Sequence, residues 1–134
     1  GLLFVVTHDG FSLQSMRLAQ RSIEGEFKHT QKKLSVGMLP QEAAAILLDD
    51  IRADSNMVDF TIIENGPTIL AGSQGFKIKY AYRSKSGLRR QSVMYGCLDK
   101  GMLITLTFDA PQRHYFALDL PTFEKVKDSL RWKS

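Results

Sequence analysis

The stretch Gly75–Arg83, GFKIKYAYR, restricts the fold more than any other part of the chain. Phe76, Ile78, Tyr80 and Tyr82 alternate with Lys77, Lys79, Ala81 and Arg83. A period of two is what a β-strand imposes, because successive side chains leave opposite sides of the sheet. A helix would scatter these aromatics around its circumference. The strand therefore needs a layer to cover its aromatic side, and the lysines read as its solvent side, where they also discourage edge pairing.

Its neighbours extend the pattern into an antiparallel meander. Ser84-Lys85-Ser86-Gly87 reads as a turn, with Gln91 to Leu98 returning, and Asp99-Lys100-Gly101 as a second tight turn, with Met102 to Phe108 returning again. Upstream, Val58, Phe60 and Ile62 alternate with Asp59 and Thr61. Glu64-Asn65-Gly66-Pro67 reads as an interruption, and Thr68 to Ala71 as a resumption of the sheet. Gly72-Ser73-Gln74-Gly75 resembles a phosphate loop only loosely. It lacks the Gly-Lys-Ser/Thr ending and leads into a strand, so a bulge or turn is the better reading.

Two helices and a hairpin complete the order. Pro40 and Glu42 suit a helix start, because Pro lacks the N–H that goes unused there and Glu complements the dipole. Leu39, Ala43, Ile46, Leu47 and Ile51 then recur on one stripe, with an end expected near Ala53. A closing helix is read with Pro121 in its first turn, Phe123, Val126 and Leu130 on one face and Trp132 pinning its end; His114, Tyr115 and Phe116 link it to the last strand. At the other end, the apolar run Leu2–Thr7 precedes His8-Asp9-Gly10, a hairpin signal, and Phe11–Leu18 reads as the return strand. Residues 20–37, with Lys28, His29, Lys32 and Lys33, read as a polar excursion containing at most a partial strand.

At 134 residues, with neither linker nor internal repeat, the chain reads as one domain, 1–134. The lone Cys97 excludes an internal disulfide, and no apolar run approaches the roughly 20 residues of a membrane-spanning helix. The opening GLLFVV, with no basic flank and no cleavage-type site, is not a signal peptide as it stands. A formal net charge of +4 permits contact with an anionic surface without demanding it, and no specific nucleic acid is expected.

No residue set makes a convincing catalytic centre. Cys97 with His8 and His114 lacks a visible oxyanion donor, and a mid-strand cysteine acts as a small hydrophobe. His8, His29 and His114 share no ligand spacing, so neither a metal nor another cofactor is expected. What remains is a surface. Arg83, Lys85, Arg89 and Arg90 bracket one hairpin tip and are read as exposed partner-contacting charges, with His8 and Asp9 second.

The order hairpin–helix–four strands–helix, with four local motifs, resembles the PsbP-like group of small proteins, whose fold is shared with a Ran-binding nuclear transport factor. The motifs are Gly75-Phe76-Lys77-Ile78-Lys79-Tyr80, Lys100-Gly101-Met102-Leu103-Ile104-Thr105-Leu106, Ala110-Pro111 and Ser129-Leu130. The resemblance spans residues 57–132, and the N-terminal half follows by element order. Thr7-His8-Asp9-Gly10 and Met38-Leu39-Pro40-Gln41-Glu42 also look like bacterial lipoproteins with this fold and no assigned role.

The resemblance implies an α+β fold, a three-layer α-β-α sandwich with a central antiparallel sheet. It further implies a non-enzymatic accessory or scaffold protein with an unknown protein partner, placed in the periplasm or anchored at the cell envelope in association with a membrane surface. No residue carries a photosystem or Ran-binding motif, so neither partner transfers, and no lipobox cysteine lies in the chain. The alternative from another class is a small-ligand module with a cavity between sheet and helix, lined by residues such as Tyr80, Tyr95 and Trp132.

Overall fold

The computed structural model describes residues 2–8, 14–112 and 114–130. Strands β1 (Leu2–His8) and β2 (Gln14–Ser22) are followed by helix α1 (Pro40–Ala53). Strands β3 (Val58–Leu70), β4 (Ser73–Arg83), β5 (Arg89–Asp99) and β6 (Met102–Pro111) come next, and helix α2 (His114–Ser129) closes the chain. Among the described residues the strands form one antiparallel sheet in the order β1-β2-β6-β5-β4-β3. The fold is α+β, and the predicted element order holds throughout.

The alternation in GFKIKYAYR is realised, but the expected solvent side of lysines is instead a half-buried face, because α2 packs on that side of the sheet. Phe76, Ile78 and Tyr80 are buried in one core with Ala43, Ala44, Leu47 and Leu48 of α1. Lys77 and Lys79 stand opposite Tyr95 and Val93 of β5. Those two residues belong to a second core with Cys97, Leu106, Phe108 and Phe123 of α2. Phe123 stacks on Phe108 at a centroid distance of 5.3 Å, and the Tyr95 hydroxyl donates to Glu124 Oε2 at 2.7 Å. These contacts fix α2 against β5 and β6.

Two turns take the left-handed backbone that their sequences anticipate. Ala71 and Gly72 have φ of 52° and 84°, and Lys100 and Gly101 have 50° and 76°. Consecutive positive φ angles match the right-handed strand twist in two-residue hairpins. The predicted turns at 72–75 and 99–101 are therefore present, the first one residue early. α1 starts at Pro40 as expected, with Glu42 Oε1 accepting a hydrogen bond from the Leu39 N–H at 3.0 Å. Leu39 itself is 54% exposed and outside the buried stripe, which Ala44 and Leu48 join instead.

Four boundaries differ from the sequence reading. β2 runs to Ser22, and His8 pairs with Gln14, whereas a two-residue turn at Asp9-Gly10 would pair His8 with Phe11. Register is set by the buried set, and Met16 and Leu18 pair with Phe108 and Leu106 of the core. Residues 9–13, including Asp9, lie outside the described residues. β3 is continuous through Glu64–Pro67 with two register shifts, because an edge strand tolerates Pro and bulges that a central one rejects.

β6 extends past Phe108 to Pro111. α2 begins at His114, so Pro121 is interior and the 114–116 segment is helical rather than a link. The side chains of His114, Tyr115 and Phe116, and the whole of Trp132, lie outside the described residues. The excursion after Ser22 is anchored by buried Ile23, Phe27 and Leu34.

Candidate interaction site

The β4–β5 hairpin carries the predicted basic cluster. Its tip is closed by Ser84 N–H donating to the Leu88 carbonyl and Gly87 N–H to the Ser84 carbonyl, both at 2.9 Å, with Gly87 at φ 90°. Lys85 and Arg89 are exposed there beside Leu88, which is 43% exposed. Arg83 is exposed as well, and its guanidinium lies 3.0 Å from Asp59 Oδ2.

Arg90 departs from the expectation of four exposed tip charges. It pairs with Tyr82, while Arg83 pairs with Arg89, so it leaves the opposite side of the hairpin. Its side chain is 15% exposed, and its Nε lies 2.5 Å from Asp109 Oδ1. The residue is part of the interior rather than of the tip.

Asp109 is the centre that the sequence reading missed. It stands opposite Ser92 in the β5–β6 ladder, and Ser92 stands opposite Tyr80 in the β4–β5 ladder. Its carboxylate accepts from Tyr82 Oη at 2.7 Å, from Arg90 Nε and from Ser92 Oγ. A carboxylate with three side-chain donors is well satisfied for a part-buried site. The signal available in the sequence was the parity of Asp109 with Thr107 and Thr105, which requires β6 to continue past Phe108.

The tyrosine hydroxyls respond to this setting. Burial pushes Tyr80 from 10.0 up to about 12. The Ser92 hydrogen bond opposes that rise, the Asp109 charge adds to it, and the Arg17 charge opposes it. Tyr82 is also raised, by burial first and then by the Asp109 charge and hydrogen bond. Both tyrosines therefore keep their protons near neutral pH. The cluster ties β4, β5 and β6 together.

The remaining candidates scatter. Cys97 is fully buried in the α2 core, opposite Gly75. His29 Nε2 sits 3.7 Å from Asp54 Oδ2 at the end of α1. His8 lies at the end of β1, with its side chain, like that of His114, outside the described residues. Tyr80 and Tyr95 point to opposite sides of the sheet and cannot line one cavity.

A different cleft is present where α1 leaves part of its sheet face uncovered. α1 contacts β3, β4 and β5, while the same face of β2 and β6 carries Arg17, Ala19 and Arg21 opposite Thr107, Thr105 and Leu103. The cleft has a volume of about 470 Å³, with Leu47 and Asp50 of α1 on one wall and Phe27 on another. Arg21 Nη2 donates to the Gly25 and Glu26 carbonyls at 3.0 Å each, and its guanidinium stacks 4.0 Å above the Phe27 ring. Asp50 Oδ1 accepts from the His29 and Thr30 amides at 2.7 and 3.1 Å. Arg17 is exposed at the mouth.

No protein-family model matches the sequence, and no curated protein is similar enough in sequence to match it. Solved structures are similar. PA94 of Pseudomonas aeruginosa, a protein of unknown function, superposes with a TM-score of 0.66 at 8% identity, covering 98% of this chain and 81% of that one. The cyanobacterial PsbP of Synechocystis gives 0.61 at 12% identity, covering 94% and 79%. The fold is PsbP-like. LpqN of Mycobacterium tuberculosis, involved in cell envelope biogenesis, gives 0.59 at 14% identity, covering 94% and 67%. At these identities the likeness is one of architecture, and function has to come from the residues.

On this PsbP-like sheet the hairpin tip and the Asp109 cluster are the two ends of one construction. The tip presents Lys85 and Arg89, and the cluster below it holds the hairpin against β6. No described helix is long and apolar enough to cross a membrane.

Proposed function

We propose that this chain is a non-enzymatic accessory or scaffold protein, one PsbP-like domain over residues 1–134, that works by protein contact at a bacterial envelope surface. In this reading it is a three-layer α-β-α sandwich, with α1 and α2 on opposite sides of the sheet. The two separate cores, one holding α1 and the other holding Phe123 of α2, support that layering. The observation that carries the functional reading is the contrast along one hairpin. Arg90, Ser92 and Tyr82 are consumed by Asp109, whereas Lys85 and Arg89 are held outward on a closed turn.

A braced cationic tip suits recognition of an acidic partner surface and offers nothing to a reacting substrate. The envelope assignment rests on the likeness to LpqN, whose described role is in envelope biogenesis. His8 and Asp9 stay as secondary contacts in this proposal.

The test is affinity capture from an envelope extract with the wild-type protein and with Lys85→Glu/Arg89→Glu. Arg83 and Arg90 are left in place, since each already holds a carboxylate. Loss of a captured partner on charge reversal supports the reading. An unchanged set of partners defeats it.

The cleft favours a second reading, a small-ligand module. Its volume of about 470 Å³ falls in the range of roughly 300–1,000 Å³ usual for ligand sites. It lies between sheet and helix, although Ala19, Phe27 and Leu47 line it in place of the tyrosines expected.

A further inference from the structure

Resting on the small-ligand reading, we propose that the cleft between α1 and the β2–β6 face binds a small amphipathic monocarboxylate, with Arg17 as the carboxylate contact. Three observations carry this. Ala19, Phe27, Leu47, Met94 and Leu103 make the interior of the cleft mostly apolar, which selects a ligand with a hydrocarbon body.

The charged side chains lining the cleft are Arg17, Arg21 and Asp50, which leaves one positive charge in excess. One anionic group neutralises that excess, and a second would meet Asp50 without a matching cation.

The two arginines are not equivalent. Arg21 is fixed on the Phe27 ring and on two carbonyl oxygens, contacts that hold its position without cancelling its charge. Its Nη2 is already committed, and it serves the cleft as a fixed wall charge. Arg17 stands four residues earlier on the same face of β2, roughly 13 Å away at strand rise, and is exposed at the mouth. A guanidinium there meets a carboxylate in the two-pronged geometry that arginine favours, while the ligand's apolar body lies inward along Ala19 and Met94.

The experiment is isothermal titration calorimetry with decanoate, decanol and decyltrimethylammonium, each below its aggregation threshold, against the wild type, Arg17→Met and Ala19→Trp. Thr105→Phe fills the same space from β6 should Ala19→Trp fail to fold by circular dichroism. Decanoate is expected to bind the wild type, to weaken tenfold or more in Arg17→Met, and to be lost in the filled variant. Decanol is expected to bind more weakly and to ignore Arg17→Met.

If decanol or decyltrimethylammonium binds as tightly as decanoate, or Arg17→Met leaves decanoate unchanged, the monocarboxylate assignment is overturned while the ligand cleft stands. If no probe binds, or the filled variant binds as the wild type does, the small-ligand reading falls with it.

Discussion

Ser92 and Asp109 face each other across β5 and β6, and the serine hydroxyl, with no solvent exposure, donates to the Asp109 carboxylate. Tyr82 and Arg90 donate to the same carboxylate from the β4 and β5 sides. Three strands are thus fastened at one atom group near the end of the sheet.

Asp109→Asn keeps the shape and removes the charge. It leaves Arg90 part-buried beside a neutral amide, so the expected loss is about 2–4 kcal/mol, towards the lower end of what a fully buried pair would lose because both side chains retain some exposure. Ser92→Ala removes a single donor and is expected to cost about 1 kcal/mol. Urea denaturation of the two variants checks the ordering.

The basic residues of the hairpin divide by the same measurement. Lys85→Ala and Arg89→Ala are expected to change stability by less than about 0.5 kcal/mol, as exposed substitutions do. Arg90→Ala is expected to cost about 2–3 kcal/mol, because it leaves the part-buried Asp109 carboxylate with two neutral donors and without its counter-charge. Equal costs for Arg89 and Arg90 would mean that the ladder parity is misassigned.

High pH is expected to loosen the fold. Tyr80 ionises near 10.0 in the unfolded chain and near 12 in the folded one, so the folded state holds its proton longer. Its contribution is complete below pH 10 and disappears as pH rises towards 12, at about 1.4 kcal/mol per pH unit. Tyr82 and Tyr95 are raised in the same sense, chiefly by burial, with Asp109 and Glu124 reinforcing them. Absorbance titration at tyrosinate wavelengths, followed with circular dichroism, should show these three ionising together with unfolding. Early, independent ionisation of all four tyrosines would contradict the buried placement.

Gly96→Ala tests a close approach between β5 and the Phe76 ring. A Cβ at Gly96 would lie 2.2 Å from Phe76 Cζ, and Phe76 is 1% exposed and unable to swing outward. The expected cost is about 1–3 kcal/mol. Phe76→Leu in the Gly96→Ala background should cost less than it does alone, a coupling that a double-mutant cycle measures.

Element order and both helices were legible because each rests on a local signal. These are the period of two in Phe76–Tyr82, the Pro40–Glu42 start, and the Lys100-Gly101 turn. The Asp109 centre was not, because it depends on partners in two other strands and on β6 continuing past Phe108. Local reading also grouped Arg90 with Arg89 by adjacency, whereas neighbours on a strand leave opposite sides. The predicted break at Glu64–Pro67 failed for a similar reason. Only the position of β3 at the sheet edge makes Pro67 acceptable, and edge position is a property of the whole topology.

The β2–β6 ladder has a kinetic consequence. β3 to β6 follow one another as successive hairpins and can zip up from nearby turns, but β2 meets β6 through partners roughly 80–94 residues apart. Closing so large a loop is expected to be the slow event in assembling this sheet, after the meander has formed. Arg17, Ala19 and Arg21 all ride on β2, so the cleft comes into being with the last strand to arrive. A molecule that occupies it is expected to act as a latch on the seam, slowing its opening without speeding the steps that precede its closure.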